Sequence, residues 1–204
     1  MTVLDDFEGT HTLGIKWSKG RKAEVGNSLD PDDLQDTPTV KLWWAQENAA
    51  GGPEWKPTQY IVVATDPDAP SRNDPKWSEI CHWIATGVAI PDGKNSRRLS
   101  FKTFWDVIPY KPPGPPEKTG KHRYVFVAYT AANGTSAGLH LSKPSDRQHW
   151  GYGKGVHGVR NWAEDNGLKP VGRFTAARLA KFMLLTREQP QILSTRKTIS
   201  SSRR

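Results

Sequence analysis

The sequence predicts a mainly β fold: an antiparallel β-sandwich of two sheets with C-terminal helices. Three observations carry that expectation. β-branched and aromatic runs recur at residues 40–44, 59–65, 81–89, 98–104 and 122–130, bounded by the glycines, prolines and aspartates that punctuate strands. Glycine and proline together supply about a sixth of the 204 residues, above the usual ~12%, which favours turns over long helices. Helical spacing appears only late, at residues 159–166 with Gly167 as the stop, and at 175–186, where Ala176, Leu179, Ala180 and Met183 recur on one face. Strands first and helices last describe one β domain whose helices cover an end or an edge.

Taken in order, residues 1–38 alternate short apolar groups with charges and close on DPDD at 30–33 and on Pro38. They read as an irregular lead-in to a single domain spanning 1–186. Residues 49–53, 66–75 and 110–120 are too rich in proline or glycine to continue a ladder. Residues 187–204 form a basic tail of Ser, Thr and Arg with the composition of disordered segments.

The formal charge is +8, and its location matters more than its size. Residues 155–204 hold ten Lys or Arg against three Asp or Glu, whereas residues 1–154 hold 19 against 18. Domains that track phosphates spread their cations over a folded face, so no nucleic-acid partner is expected, and at most peripheral membrane contact. The longest apolar runs fall far short of the roughly 20 residues that span a bilayer. Residues 1–10 carry Asp5, Asp6 and Glu8 with no basic or apolar leader, so the expected address is cytoplasmic. A single cysteine, Cys81, excludes an intrachain disulfide and a cysteine-framed zinc site.

Three stretches carry chemistry. DPDAPSR at 66–72 follows a strand directly, and its prolines hold Asp66 and Ala69 extended. Alternation along that strand puts Asp66 at the end of the face carrying Tyr60, Val62 and Ala64. A turn carboxylate that caps backbone N–H groups has the same signature. In the strand 81–89, alternation assigns His82, Ile84 and Thr86 to one face and Cys81, Trp83 and Ala85 to the other. Adjacent Cys81 and His82 then diverge, which excludes a Cys–His nucleophile pair. A hydrogen-bonded structural histidine is the alternative reading of His82.

PPGPPEKTGKHRYVF at 112–126 is the densest signal: a stiff loop feeding a strand. Alternation sets His122, Tyr124, Phe126 and Ala128 on one face, while Arg123 braces a loop from behind. One carboxylate, two imidazoles and a phenol would then gather at strand ends beside two rigid loops. Imidazole, phenol and loop N–H donors suit a small anion such as a phosphate ester. Asp66 would orient a histidine, meet a cationic part of the ligand, or be protonated. Two histidines and one aspartate at these spacings are a poor metal set, and no metal or other cofactor is expected.

At these residues the sequence resembles the phosphatidylethanolamine-binding protein family, which includes the Raf kinase inhibitor proteins and the plant flowering regulators. The likeness rests on residues 66–72, on His82 and Trp83, and on Gly114, Pro115 and Pro116 through Gly120 to Phe126. Residues 150–164 look like the fungal branch that contains inhibitors of a vacuolar serine carboxypeptidase. The resemblance implies a β-sandwich with C-terminal helices, no cofactor, and a pocket for phosphorylated head groups or small anions. It places Asp66, Pro70, His82, Gly114, Pro115, Gly120, His122 and Tyr124 in that pocket. Ile80 departs from the family, standing where many animal members carry an aromatic.

The expected function is regulatory and non-enzymatic: a head-group or anion binder, without catalytic residues, that inhibits a partner such as a serine carboxypeptidase or a kinase. In the alternative, an enzyme of fungal small-molecule biosynthesis uses His82, His122 and Asp66 as acid and base.

Overall fold

The computed structural model describes residues 3–4, 7–24, 27–45, 58–93, 96–153, 157–172 and, as backbone, 183–185. Its strands are β1 (His11–Lys16), β2 (Ser28–Leu29), β3 (Thr39–Trp44), β4 (Thr58–Asp66), β5 (Ile80–Pro91), β6 (Arg98–Phe101), β7 (Trp105–Ile108), β8 (His122–Ala131), β9 (Leu168–Pro170) and β10 (Met183–Leu185). A single α-helix, α1 (Val159–Asp165), precedes β9 among the described residues.

The strands follow one hydrogen-bonded path, β1-β3-β6-β5-β4-β8-β10-β2, with β7 on β5 and β9 on β8. This path is the expected antiparallel architecture, and β10 with β2 is its parallel pair. The five strands read from the sequence are present with small changes at their ends. Those at 40–44, 59–65, 81–89 and 122–130 extend by one to three residues, while that at 98–104 stops at Phe101.

β4 sits at the centre because it can be buried on both faces. Ile61, Val62, Val63 and Ala64 have no exposed surface, each full-sized apolar side chain contributing about 1.5–3 kcal/mol. Tyr60, Val62 and Ala64 face one core with Leu13, Trp17, Leu42, Trp83 and Phe126. Ile61 and Val63 face a second core with Val125, Val127, Trp150 and Trp162, where α1 caps the sheet.

Two readings of the termini change. The expected irregular lead-in contains β1, whose Leu13 and Ile15 point into the first core, and Val3 and Leu4 are buried in the second. Of the helix expected at 175–186, Met183–Leu185 form β10, antiparallel to β8 and parallel to β2. Residues 175–182 and 186 and the basic tail lie outside the described residues. A short apolar run suits a strand as well as a helix turn, and here the free edge of β8 decides.

Candidate functional site

The site grows from the ends of β4, β5 and β8. Asp66 closes β4, 2% exposed, and its two oxygens are divided. Oδ1 accepts the backbone N–H of Asp68 at 2.7 Å, the turn role open to any such aspartate. Oδ2 meets Nδ1 of His122 at 2.8 Å, the orienting role. Both readings of this carboxylate are therefore realised at once.

Asp68 then fixes the loop to β8. It accepts from the Arg123 backbone N–H at 2.8 Å and from the guanidinium Nε at 2.9 Å and Nη2 at 2.7 Å. Arg123 braces the loop as its place on the strand predicts, whereas the sequence does not single out Asp68. Its only local mark was being the second aspartate between two prolines.

On β8 the alternation holds: Tyr124, Phe126 and Ala128 lie in the first core and Val125, Val127 and Tyr129 in the second. On β5 it fails. Ala64 pairs with Trp83 but Thr65 pairs with Cys81, so His82 is the extra residue of a β-bulge. Cys81 and Ile84 consequently share the second core while Trp83 and Ala85 share the first, correcting the expected grouping of Cys81 with Trp83 and of His82 with Ile84. A bulge re-aims one side chain. It turns His82 onto Tyr124, edge to face with ring centroids 4.9 Å apart.

Arg147 gathers backbone carbonyls around the bulge. Its Nη1 donates to the carbonyls of Cys81 and His82 at 3.1 Å each, and Nη2 to that of Pro109 at 2.9 Å. Arg147 lies in a loop far along the chain and carried no sequence signal. Cys81 still diverges from His82, and burial pushes its thiol up to about 12, so it is an inert apolar filler.

His82 Nδ1 donates to the Lys111 carbonyl at 2.7 Å, because a carbonyl can only accept. The proton sits on Nδ1 and the lone pair on Nε2. Burial lowers the imidazole to about 4, so the ring is neutral at pH 7. Burial, followed by the Asp66 charge, raises the Tyr124 phenol well above its ordinary value, and Gly114 supplies it a backbone hydrogen bond. Tyr124 stays a donor.

His122, 1% exposed, has Thr119 Oγ1 at 3.0 Å from Nε2. That hydroxyl donates to the Pro116 carbonyl at 2.6 Å, which leaves its oxygen lone pairs turned to the ring. Gly120, at φ +78, gives the loop the left-handed turn that returns it to β8. Asp66, His82, His122, Tyr124 and Gly114 are thus brought together. Pro70, half-buried, and Pro115, buried, belong with Gly120 to the two loops that enter the site.

A curled antiparallel β domain with a buried imidazole–carboxylate pair at its strand ends defines the class. Residues 12–174 match the profile of the phosphatidylethanolamine-binding protein family, and the chain belongs to it. It is 29% identical over 181 residues to the carboxypeptidase Y inhibitor of Saccharomyces cerevisiae, covering 81% of this chain and 82% of that protein. The solved structure of a carboxypeptidase Y inhibitor complexed with its cognate proteinase superposes with a TM-score of 0.74 at 29% identity, over 89% of this chain and 86% of that one. A phosphatidylethanolamine-binding protein from Plasmodium vivax shares the fold, with a TM-score of 0.61 at 22% identity over 89% and 87% of the two chains.

Proposed function

We propose that this protein inhibits a serine carboxypeptidase and carries, at Asp66, His82, Gly114, His122 and Tyr124, a separate hollow for a phosphorylated head group or another small anion. The likeness to an inhibitor solved with its cognate proteinase carries the first half. The second rests on donors gathered around one buried carboxylate: the Tyr124 hydroxyl, the His122 Nε2 side and, once protonated, His82. Pro70, Pro115 and Gly120 would shape the rim. A kinase is the other partner class to assay.

The N-terminal segment is the candidate protease contact, because an extended arm can be laid in a cleft without remaking the domain. Val3 and Leu4 are stowed against α1 and β9, so the arm must leave its own core to bind. Deleting residues 1–20 would also remove β1 and Trp17 from the first core, so the informative truncation ends at residue 7. Loss of carboxypeptidase inhibition in a truncated protein that still folds cooperatively supports the arm, and equal potency removes it from the mechanism.

The acid–base alternative draws on the Asp66–His122 pair. The Thr119 hydroxyl beside it is committed to Pro116, which weighs against a nucleophile. Turnover of phosphoesters or anhydrides that disappears in both His82→Ala and His122→Ala would favour that reading.

A further inference from the structure

A histidine meets a ligand only as well as its surroundings hold it, and His82 is held by chain far from it in sequence. Its ring and its main chain are both tied to Lys111. Nδ1 donates to the Lys111 carbonyl at 2.7 Å, and the Lys111 N–H donates to the His82 carbonyl at 2.8 Å. The first bond fixes the tautomer, with Nδ1 protonated and Nε2 bare. Both hold only while residues 109–111 stay against the β5 bulge.

Arg147 joins those two pieces of chain. One guanidinium donates to the carbonyls of Cys81 and His82 on the bulge and to that of Pro109 on the facing segment. Three acceptors on two segments call for a planar fork with donors in fixed directions, which the compact ammonium of a lysine lacks.

The loop that carries Arg147 is itself fixed. The Arg147 carbonyl accepts the Cys81 N–H at 2.8 Å, and Gln148 bridges Ile80 in antiparallel register. Trp150, 1% exposed, anchors the loop in the second core, and its Nε1 donates to the Thr65 hydroxyl. Gly151, at φ +80, closes it, and a Cβ there would stand 2.7 Å from the Ser145 nitrogen, so conformation and approach both demand glycine. Arg147 is half-buried on this support, directed at main-chain carbonyls.

The tautomer has a consequence for binding. Burial outweighs the charges of Asp66 on β4, of Lys111 and of Arg147 and keeps His82 neutral at pH 7. On β8, Tyr124 packs edge to face on the ring, and His122 takes the other side of Asp66. A neutral ring locked as Nδ1–H has a lone pair at Nε2, which repels a fully ionised phosphate. It accepts the anion when a proton comes too, from solvent or from a P–OH group of the ligand. A ring free to carry its proton on Nε2 would donate at any pH.

We propose that Arg147 is a positioning residue that locks His82 as the Nδ1–H tautomer, so that the hollow selects an anion arriving with a proton over a fully ionised one. The selectivity rests on the hollow being an anion site, whereas the tautomer lock does not.

Ring-nitrogen NMR of the histidines in the unliganded full chain at pH 7 reads the tautomer, and calorimetry with phosphoethanolamine at pH 5 and pH 8 reads the selectivity. Wild type should show His82 as Nδ1–H alone and bind about tenfold more tightly at pH 5. Arg147→Lys keeps the charge and loses the fork. It should show both His82 tautomers and a pH difference of about threefold or less, with His122, held by Asp66, unchanged. The ligand's own ionisation is common to both proteins and cancels in the comparison. Arg147→Gln should repeat the result. A single Nδ1–H tautomer in both variants, or a pH difference as large as that of wild type, overturns the proposal. So does loss of the His122 signals together with those of His82, the mark of a merely structural role. No phosphoethanolamine binding to wild type would refute the anion site instead, and the tautomers would then decide the role of Arg147.

Discussion

Asp66 and Glu79 are buried at the same end of adjacent strands, 2% exposed each, and they keep different company. Asp66 meets an imidazole and a backbone N–H beside two loops. Glu79 lies toward the second core, where Oε2 accepts from the Thr65 hydroxyl at 2.9 Å and from the Val159 N–H at 3.3 Å, while Trp150 Nε1 donates to the same hydroxyl. Burial outweighs these hydrogen bonds and the Arg160 charge and pushes Glu79 up to about 7. The difference teaches that a buried carboxylate is not by itself a site. Asp66 holds an imidazole at the strand ends, whereas Glu79 fastens α1 to the strands from behind.

The largest effect is expected where a carboxylate has a full guanidinium partner. Asp68→Ala removes the acceptor of three Arg123 donors in a pair whose side chains are 2% and 13% exposed. Breaking such a pair costs about 3 kcal/mol and should release the 66–72 loop from β8. Urea unfolding measures the loss, and a change within experimental error would show that the loop is held by other means.

Glu79→Gln should act in the opposite direction at high pH. The folded value, about 7, lies above the unfolded 4.5, so the folded state holds an extra proton between them. Stability from this group is complete below pH 4.5, is lost as pH rises toward 7 and stays low above it. The amide variant should therefore be more stable than wild type at pH 8 by about 2–3 kcal/mol and nearly equal at pH 4.5. His11 and His82, both lowered to about 4 by burial, lose stability as pH falls from 6.5 toward 4. That contribution is common to both proteins and cancels in the difference. A constant gap between the two proteins across this range would mean that Glu79 is ionised throughout.

In the proposed hollow, anion affinity should depend on His82. The free ring titrates near 4 and a bound phosphate ester raises that value, so affinity climbs as pH falls from the bound value toward 4 and levels off below. Calorimetry with phosphoethanolamine at pH 5 and pH 8 should differ by about tenfold, one unit of the induced shift being a factor of ten. The slope should vanish in His82→Asn. Equal affinities at the two pH values in wild type would mean that neutral donors alone hold the ligand.

How much of this the chain reveals in advance depends on where alternation survives. β4 and β8 are regular, so Asp66, His122 and Tyr124 could be placed on one face from their spacing alone, and Arg123 behind them. β5 carries an extra residue at His82 with no glycine or turn residue nearby to announce it, so its faces were misassigned. β1 has the alternation of a half-buried strand in Leu13 and Ile15, but its glycine and the charges around it read as irregular chain. Arg147 and Lys111 act through backbone carbonyls, a role no side-chain pattern reports. The apolar run at Met183–Leu185 becomes a strand only because β8 offers an edge.

The smallest predicted effect has an unexpected sign and so separates two versions of the hollow. Thr119 occupies the Nε2 side of His122, the position an anion would take. If the anion displaces the hydroxyl, Thr119→Val removes a competitor. The empty protein then loses the hydroxyl's two hydrogen bonds, to His122 and to the Pro116 carbonyl, about 1 kcal/mol each, and phosphate-ester affinity rises by a few-fold because binding no longer displaces the hydroxyl from the ring. If instead the hydroxyl stays and touches the ligand, the same substitution lowers affinity. Calorimetry on Thr119→Val beside a urea titration distinguishes them. Lower stability with tighter binding identifies Thr119 as the resident stand-in for the ligand, weaker binding makes its hydroxyl a ligand contact, and unchanged affinity would place the anion on Tyr124 and His82 instead.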